Sequence, residues 1–162
     1  IVHSIEAMRI LKELNYKPQH TLRCVLFMNE ENGNMGGKTY AQWCFDNKED
    51  HIAAIESDRG GFLPTGFDIR GNDKQVEFVQ QFKELLYSFH LYKFDKGYSG
   101  VDIGPLMEKY PDMLQLGMTI NSQEYFDYHH SEADVFEAVN KRELELGAAA
   151  MAAMIYLLDS NL

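Results

Sequence analysis

Thr21-Leu22-Arg23-Cys24-Val25-Leu26-Phe27-Met28, followed at once by Asn29-Glu30-Glu31, is the stretch on which the reading of this chain turns. A mostly apolar run of this length suits a strand, and near-continuous apolarity suits a central strand covered on both faces, as in buried parallel sheets. Upstream, Ile1, Ile5, Met8, Leu11 and Leu14 recur at helical spacing with Arg9, Lys12 and Glu13 opposite, and Pro18 closes that helix. Downstream, Gly33, Gly36 and Gly37 interrupt the chain before a helical pattern from Lys38 to Phe45. His51 to Ser57 reads as a second buried strand ending at Asp58, and Gly60, Gly61, Pro64 and Gly66 predict a loop. Val79, Phe82, Leu86 and Phe89 form an amphipathic helical pattern that starts near Asn72 or Asp73 as cap. A short strand at Leu91–Phe94, a polar loop to Gly104, a helix at Ile103–Tyr110 and a strand at Met113–Ile120 follow. Asn121–Ala138 reads as a long polar loop, and Arg142–Leu158 as the closing helix.

Helices and strands therefore alternate. That order predicts an α/β fold, a three-layer α/β/α domain around a mostly parallel central sheet. The 162 residues fit one domain, with 45% hydrophobic and 25% charged residues, and no repeat or linker divides them. Fifteen Lys and Arg stand against 25 Asp and Glu, a formal net charge of −10, so neither nucleic acid nor an anionic membrane surface is an expected partner. Cys24 and Cys44 are too few for a disulfide framework and read as buried thiols. The apolar run Ala148–Leu158 is shorter than the about 18 residues a membrane span needs. The chain opens on Ile1, without an initiator Met and already within a helical pattern, and is read as a truncated or processed start.

In open α/β sheets, sites lie beyond the carboxyl ends of strands. Three such ends carry acid–base or metal-type residues. At Glu30-Glu31 two adjacent carboxylates repel each other, a cost that a cation offsets. One can ligate while the other handles a proton, or both can be placed by a helix N-terminus with Asn29 as cap. Asp58 offers a hard oxygen ligand, or else closes an Asp turn. His129-His130 lies in a tyrosine-rich loop, where one imidazole can ligate zinc or both can pack among aromatics. Tyr98-Ser99-Gly100-Val101-Asp102 follows another strand and either lines the substrate side of the cleft or uses Asp102 to cap the next helix. Nothing in the sequence supports a serine or cysteine nucleophile.

Four segments, VLFMNEENGNMGGKTYA, ESDRGGFLPTGF, GYSGVDIGPL and YHHSEADVFEAV, occur in an order that resembles the two-zinc exopeptidases, the family of bacterial aminopeptidases and plasma glutamate carboxypeptidase-like enzymes. The resemblance implies Glu30 as general base, Glu31 as a zinc ligand, Asp58 as a ligand of the other zinc, and the histidine before Ser131-Glu132-Ala133-Asp134, which is His130, as a further ligand. Tyr98, Ser99, Gly100 and Asp102 are expected at the substrate. The family's His-x-Asp element and bridging aspartate have no counterpart here: His3 lies inside the opening helical pattern. The expectation is thus the carboxy-terminal portion of a peptidase catalytic domain, residues 1–162, incomplete on its N-terminal side. Its expected function is aminopeptidase-like hydrolysis of peptides with two zinc ions, inactive as this span alone. Its expected partners are the missing N-terminal part or a second copy, and its expected location is secreted or periplasmic. A non-catalytic binding module on the same scaffold is the alternative.

Overall fold

The computed structural model describes residues 1–162. Four strands form one sheet in the order β1 (Ala53–Glu56), β4 (Leu114–Ile120), β2 (Pro64–Arg70), β3 (Lys93–Lys96). The β1–β4 and β2–β3 pairs are parallel, and β2–β4 is antiparallel. The strand β2 falls where the sequence predicts a loop. Gly60 and Gly61 do precede the strand in irregular chain, but Pro64 and Gly66 lie within it, and Phe67 and Ile69 are fully buried in the core.

Alternation along the strands builds two covered faces. Phe67, Ile69, Leu114, Leu116 and Met118 pack against Val79, Phe82 and Leu86 of helices α3 (Asp73–Gln80) and α4 (Lys83–Tyr87). The same face meets Ala150, Met154 and Leu157 of α7 (Lys141–Asn161), the helix expected at the end of the chain. On the other face, Ala41 of α2 (Met35–Asp46) and Leu106 of α5 (Leu106–Lys109) gather with Ile103 and Met113 around Ala54. Helix α1 (Val2–Glu13) lies on α7 through Ala7, Leu11, Met151 and Ala152. This is the three-layer arrangement the alternation predicts. Asn72 caps α3 in a reciprocal box with Gln75, as its residue type predicts.

Residues 21–28 depart from expectation. They are not a strand: no backbone hydrogen bond joins them to the sheet, and only Met28 is held, its carbonyl accepting from Gly36 N–H at 3.1 Å. The segment still lies along the free edge of β1. Leu22 and Ile55 pack on the same cluster around Ala7 and Met151, Phe27 and Ala54 on that around Ala41 and Ile103, and residues of both segments line one cavity of about 500 Å³. The predicted long loop 121–138 also contains α6 (Ser122–Tyr128) and a 3-10 turn at Phe136–Ala138. Cys44 is buried and Cys24 half-buried, both as free thiols. No helix is long and apolar enough to cross a membrane.

Candidate metal centre and active-site cleft

Glu30 and Glu31 sit in a turn between the 21–28 segment and α2. Asn29 enters it with φ 67° and Asn34 leaves it with φ 54°, the left-handed region that asparagine tolerates better than most residues. The carbonyls of Asn29 and Glu30 both accept from Asn34 N–H at 3.0 Å. The helix cap is therefore Asn34 rather than Asn29, and no acidic residue occupies the first turn of α2. The two glutamates are not there to serve that helix dipole. Gly36 and Gly37 fix the turn from behind: a side chain at Gly36 would strike the Met28 backbone, and one at Gly37 the Asp102 carbonyl.

Glu31 meets the loop after β4. Nε2 of His130 lies 3.3 Å from Oε1 of Glu31, with both side chains reachable by solvent. His130 itself lies in the left-handed region, with φ 53°. His129 instead stacks on Tyr125, with ring centroids 4.6 Å apart, and on His130 at 3.9 Å. Of the two readings of this pair, contact with a carboxylate applies to His130 and aromatic packing to His129.

Asp58 follows β1 and lines a cavity of about 470 Å³ with His3, Glu56, Ser57, Asp102 and Ile103. Its neighbour Arg59 pairs with Asp68 at 3.5 Å, directed away from Asp58. The fields of these carboxylates overlap. Burial raises the Asp102 carboxyl above its ordinary range, and the charges of Glu30 and Asp58 add to the rise. Burial likewise raises the Tyr125 hydroxyl, with Asp58, Glu31 and Glu30 contributing. Tyr98 is raised by burial and by Glu56, Asp58 and Glu30. Glu30 and Asp58 thus lie near enough to Tyr98, Asp102 and Tyr125 for their charges to act on all three, and Glu31 near enough to act on Tyr125. No group of three or more His, Cys, Asp or Glu side chains closes on a metal position within the chain.

The 98–102 segment divides in two. Tyr98 is half-exposed toward the cleft. Ser99 is buried, its hydroxyl donating to Gln115 Oε1 at 2.7 Å, and Gly100 lies against the Glu56 carboxylate. Asp102 does not cap α5, whose cap is Pro105, and its Oδ1 is buried without a hydrogen-bond partner.

The sequence places Glu56 beside Asp58 at a strand end and His3 within the opening helix, but assigns neither a role. Glu56 reads as the polar end of an apolar strand, yet its buried carboxylate accepts from the N–H groups of Val101 (3.0 Å), Asp102 (3.3 Å) and Ile103 (2.8 Å). Burial pushes its carboxyl up to about 7 despite those bonds. His3 is buried, shares a hydrogen bond of 2.8 Å between Nδ1 and Ser57 Oγ, and leaves Nε2 unpartnered against Gly147. A histidine on the inner face of α1, one helical turn before Ala7, was the available signal.

With this geometry in view, comparison with known proteins fixes the family. The sequence profile of peptidase family M28 matches residues 1–155, and the chain belongs to that family. Carboxypeptidase Q of Bos taurus is 30% identical over 154 residues, 95% of this chain and 32% of the relative. The Rattus norvegicus and Homo sapiens proteins of the same name are each 29% identical over the same length. A crystal structure of a peptidase M28 precursor from Shewanella amazonensis superposes with a TM-score of 0.86 at 27% identity, covering 99% of this chain and 37% of the other. The chain spans about a third of the length of the curated relatives it matches.

Proposed function

We propose that this chain is the carboxy-terminal portion of the catalytic domain of a zinc-dependent exopeptidase, with Glu30 as general base and Glu31, Asp58 and His130 as metal ligands. The observation that carries the reading is the His130–Glu31 spacing. Two donors on one tetrahedral zinc ion, at bonds of ~2.0–2.1 Å, stand ~3.3 Å apart, and Nε2 and Oε1 stand 3.3 Å apart here. Imidazole and carboxylate are also the donor types zinc takes in hydrolytic sites. The family and the shared name of the relatives support peptide hydrolysis.

Zinc, when bound, supplies the Lewis acidity that polarises a scissile carbonyl and makes water a competent nucleophile near neutral pH. Glu31 and His130 would hold one ion, and Asp58 would hold the second from the opposite wall, with further donors from outside residues 1–162. Glu30, on the same turn as Glu31, accepts the proton of the attacking water and returns it to the leaving amine. Tyr98 and Asp102 form the substrate-side wall. Ser99 and Gly100 shape that wall from within rather than touching substrate.

The test uses the full-length protein, short peptides and a chelator. Turnover of dipeptides should vanish on chelation and return with zinc. Dipeptides blocked at the amino or the carboxyl end tell aminopeptidase from carboxypeptidase action. Turnover indifferent to chelation would overturn the reading, and no turnover from fully zinc-loaded protein would favour a binding module.

A further inference from the structure

Glu56 joins the two walls of the cleft. It is the last residue of β1, two positions before Asp58, and its carboxylate reaches across to the backbone of residues 101–103. Oε1 takes the N–H groups of Val101 and Asp102, and Oε2 takes that of Ile103, so both oxygens are committed to one short segment. The approach is close enough to require glycine at position 100. Gly100 has φ 155°, and any Cβ there would overlap the Glu56 carboxyl carbon. The segment is tied a second time by Asn34, whose Nδ2 donates to the Val101 carbonyl at 2.6 Å. Asp58, Asp102, Ile103 and Glu56 line the same cavity. Three N–H donors on one buried carboxylate hold a backbone more firmly than neutral hydrogen bonds do.

We propose that Glu56 is a positioning residue: it clamps residues 101–103 and thereby sets the distance between the Tyr98–Asp102 wall and the Asp58 wall of the substrate cleft. The inference rests on the peptidase reading for its consequence, and on the hydrogen bonds alone for the clamp. Glu56 touches neither substrate nor the reacting atoms. Its loss displaces the wall that receives the peptide, while the turn carrying Glu30 and Glu31 keeps its own backbone bonds from Asn34 N–H to the Asn29 and Glu30 carbonyls.

The experiment is Glu56→Gln in the full-length protein, with kcat and KM measured on a dipeptide with both ends free. The amide keeps one acceptor oxygen and turns an NH2 group against the remaining N–H donors. KM should rise about tenfold, while kcat per zinc-loaded molecule stays within about threefold. A purely structural role would shrink the active fraction, lowering apparent kcat with KM unchanged, and that result overturns the proposal. Should Glu56→Gln fail to fold, Glu56→Asp keeps the charge one methylene short and should show the same KM rise. Amide hydrogen exchange gives a readout independent of activity. Protection should fall at Val101, Asp102 and Ile103 relative to β4, and a uniform loss across the sheet overturns the clamp. If zinc-loaded wild type turns over no peptide, the peptidase reading fails, and exchange at these three amides still decides for or against the clamp.

Discussion

Nε2 of His130 stands 3.3 Å from Oε1 of Glu31, although 99 residues separate the two in sequence. The contact joins the turn after residues 21–28 to the loop after α6, where His130 has a left-handed backbone. If it is half of a metal centre, His130→Ala should weaken zinc binding in the full-length protein by more than the about 10- to 100-fold typical of an outer-shell partner. His129→Ala should stay within that range, because His129 only stacks on Tyr125 and His130. Competition titration against a chelator measures both, and the reverse order would move the ligand to His129.

Residues 1–162 expressed alone should hold little zinc and hydrolyse no peptide. Glu31, Asp58 and His130 supply too few donors for two ions, since a zinc site normally takes about three or four protein ligands, and no complete donor group forms in the chain. Elemental analysis and a dipeptide assay on the purified span check this. Two zinc ions per chain with normal turnover would contradict it.

Asp159 anchors the end of α7 to the connection after α1. Its buried carboxylate accepts from Tyr16 Oη, the N–H groups of Gln19 and His20, and His20 Nδ1. Burial pushes this carboxyl up, and the hydrogen bonds, Tyr16's foremost, more than reverse the push and hold it below the ordinary range. Asp159→Ala leaves those donors without a partner. It should cost about 2–4 kcal/mol and lower Tm by roughly 5–15 °C, read by thermal unfolding. A shift below a degree would show that water replaces the carboxylate.

The His3 imidazole is pushed down to about 4, chiefly by burial. A histidine held neutral in the fold contributes stability that is fully present above about 6.5, its unfolded value, and is lost as pH falls through about 4. Glu56, raised to about 7, works in the opposite sense: its contribution is present below its unfolded value and lost as pH rises through 7. The His3 effect is therefore isolated by difference. Between pH 7 and pH 4.5, wild type should lose about 2 kcal/mol relative to His3→Gln, measured by urea unfolding at each pH. Parallel pH dependence in the two proteins would mean that His3 is solvated.

The layers of the fold were legible in the sequence because helical periodicity is dense in α1 and α7, and because β1 and β4 end sharply at polar residues. Two things were not. Residues 21–28 have the composition of a central strand, but pairing is a non-local property, and in this chain they lie beside β1 without bonding to it. The strand β2 was hidden by Gly60, Gly61, Pro64 and Gly66, whose turn chemistry outweighed the alternation of Phe67 and Ile69. Of the candidate site residues, Glu30, Glu31, Asp58 and His130 stood out by residue type and by their place after expected strands, although only Asp58 lies just after a strand of the sheet. Glu56 did not stand out: its meaning lies in three backbone N–H groups some 45 residues away, and a hydrogen bond to backbone leaves no mark in side-chain pattern. Ser99 was misleading for the complementary reason, since a serine in a loop reads as available until Gln115 is seen to take its hydroxyl.

The central claim is that Glu30 moves a proton while Glu31 beside it holds metal. Glu30→Gln in the full-length protein separates the two roles, because the substitution removes a base without removing a ligand. Zinc content and dipeptide kcat, measured on the same preparation, should show zinc at the wild-type level and kcat reduced by about 10²–10⁴-fold, the contribution typical of a general base. Unchanged kcat with zinc fully bound would contradict the account.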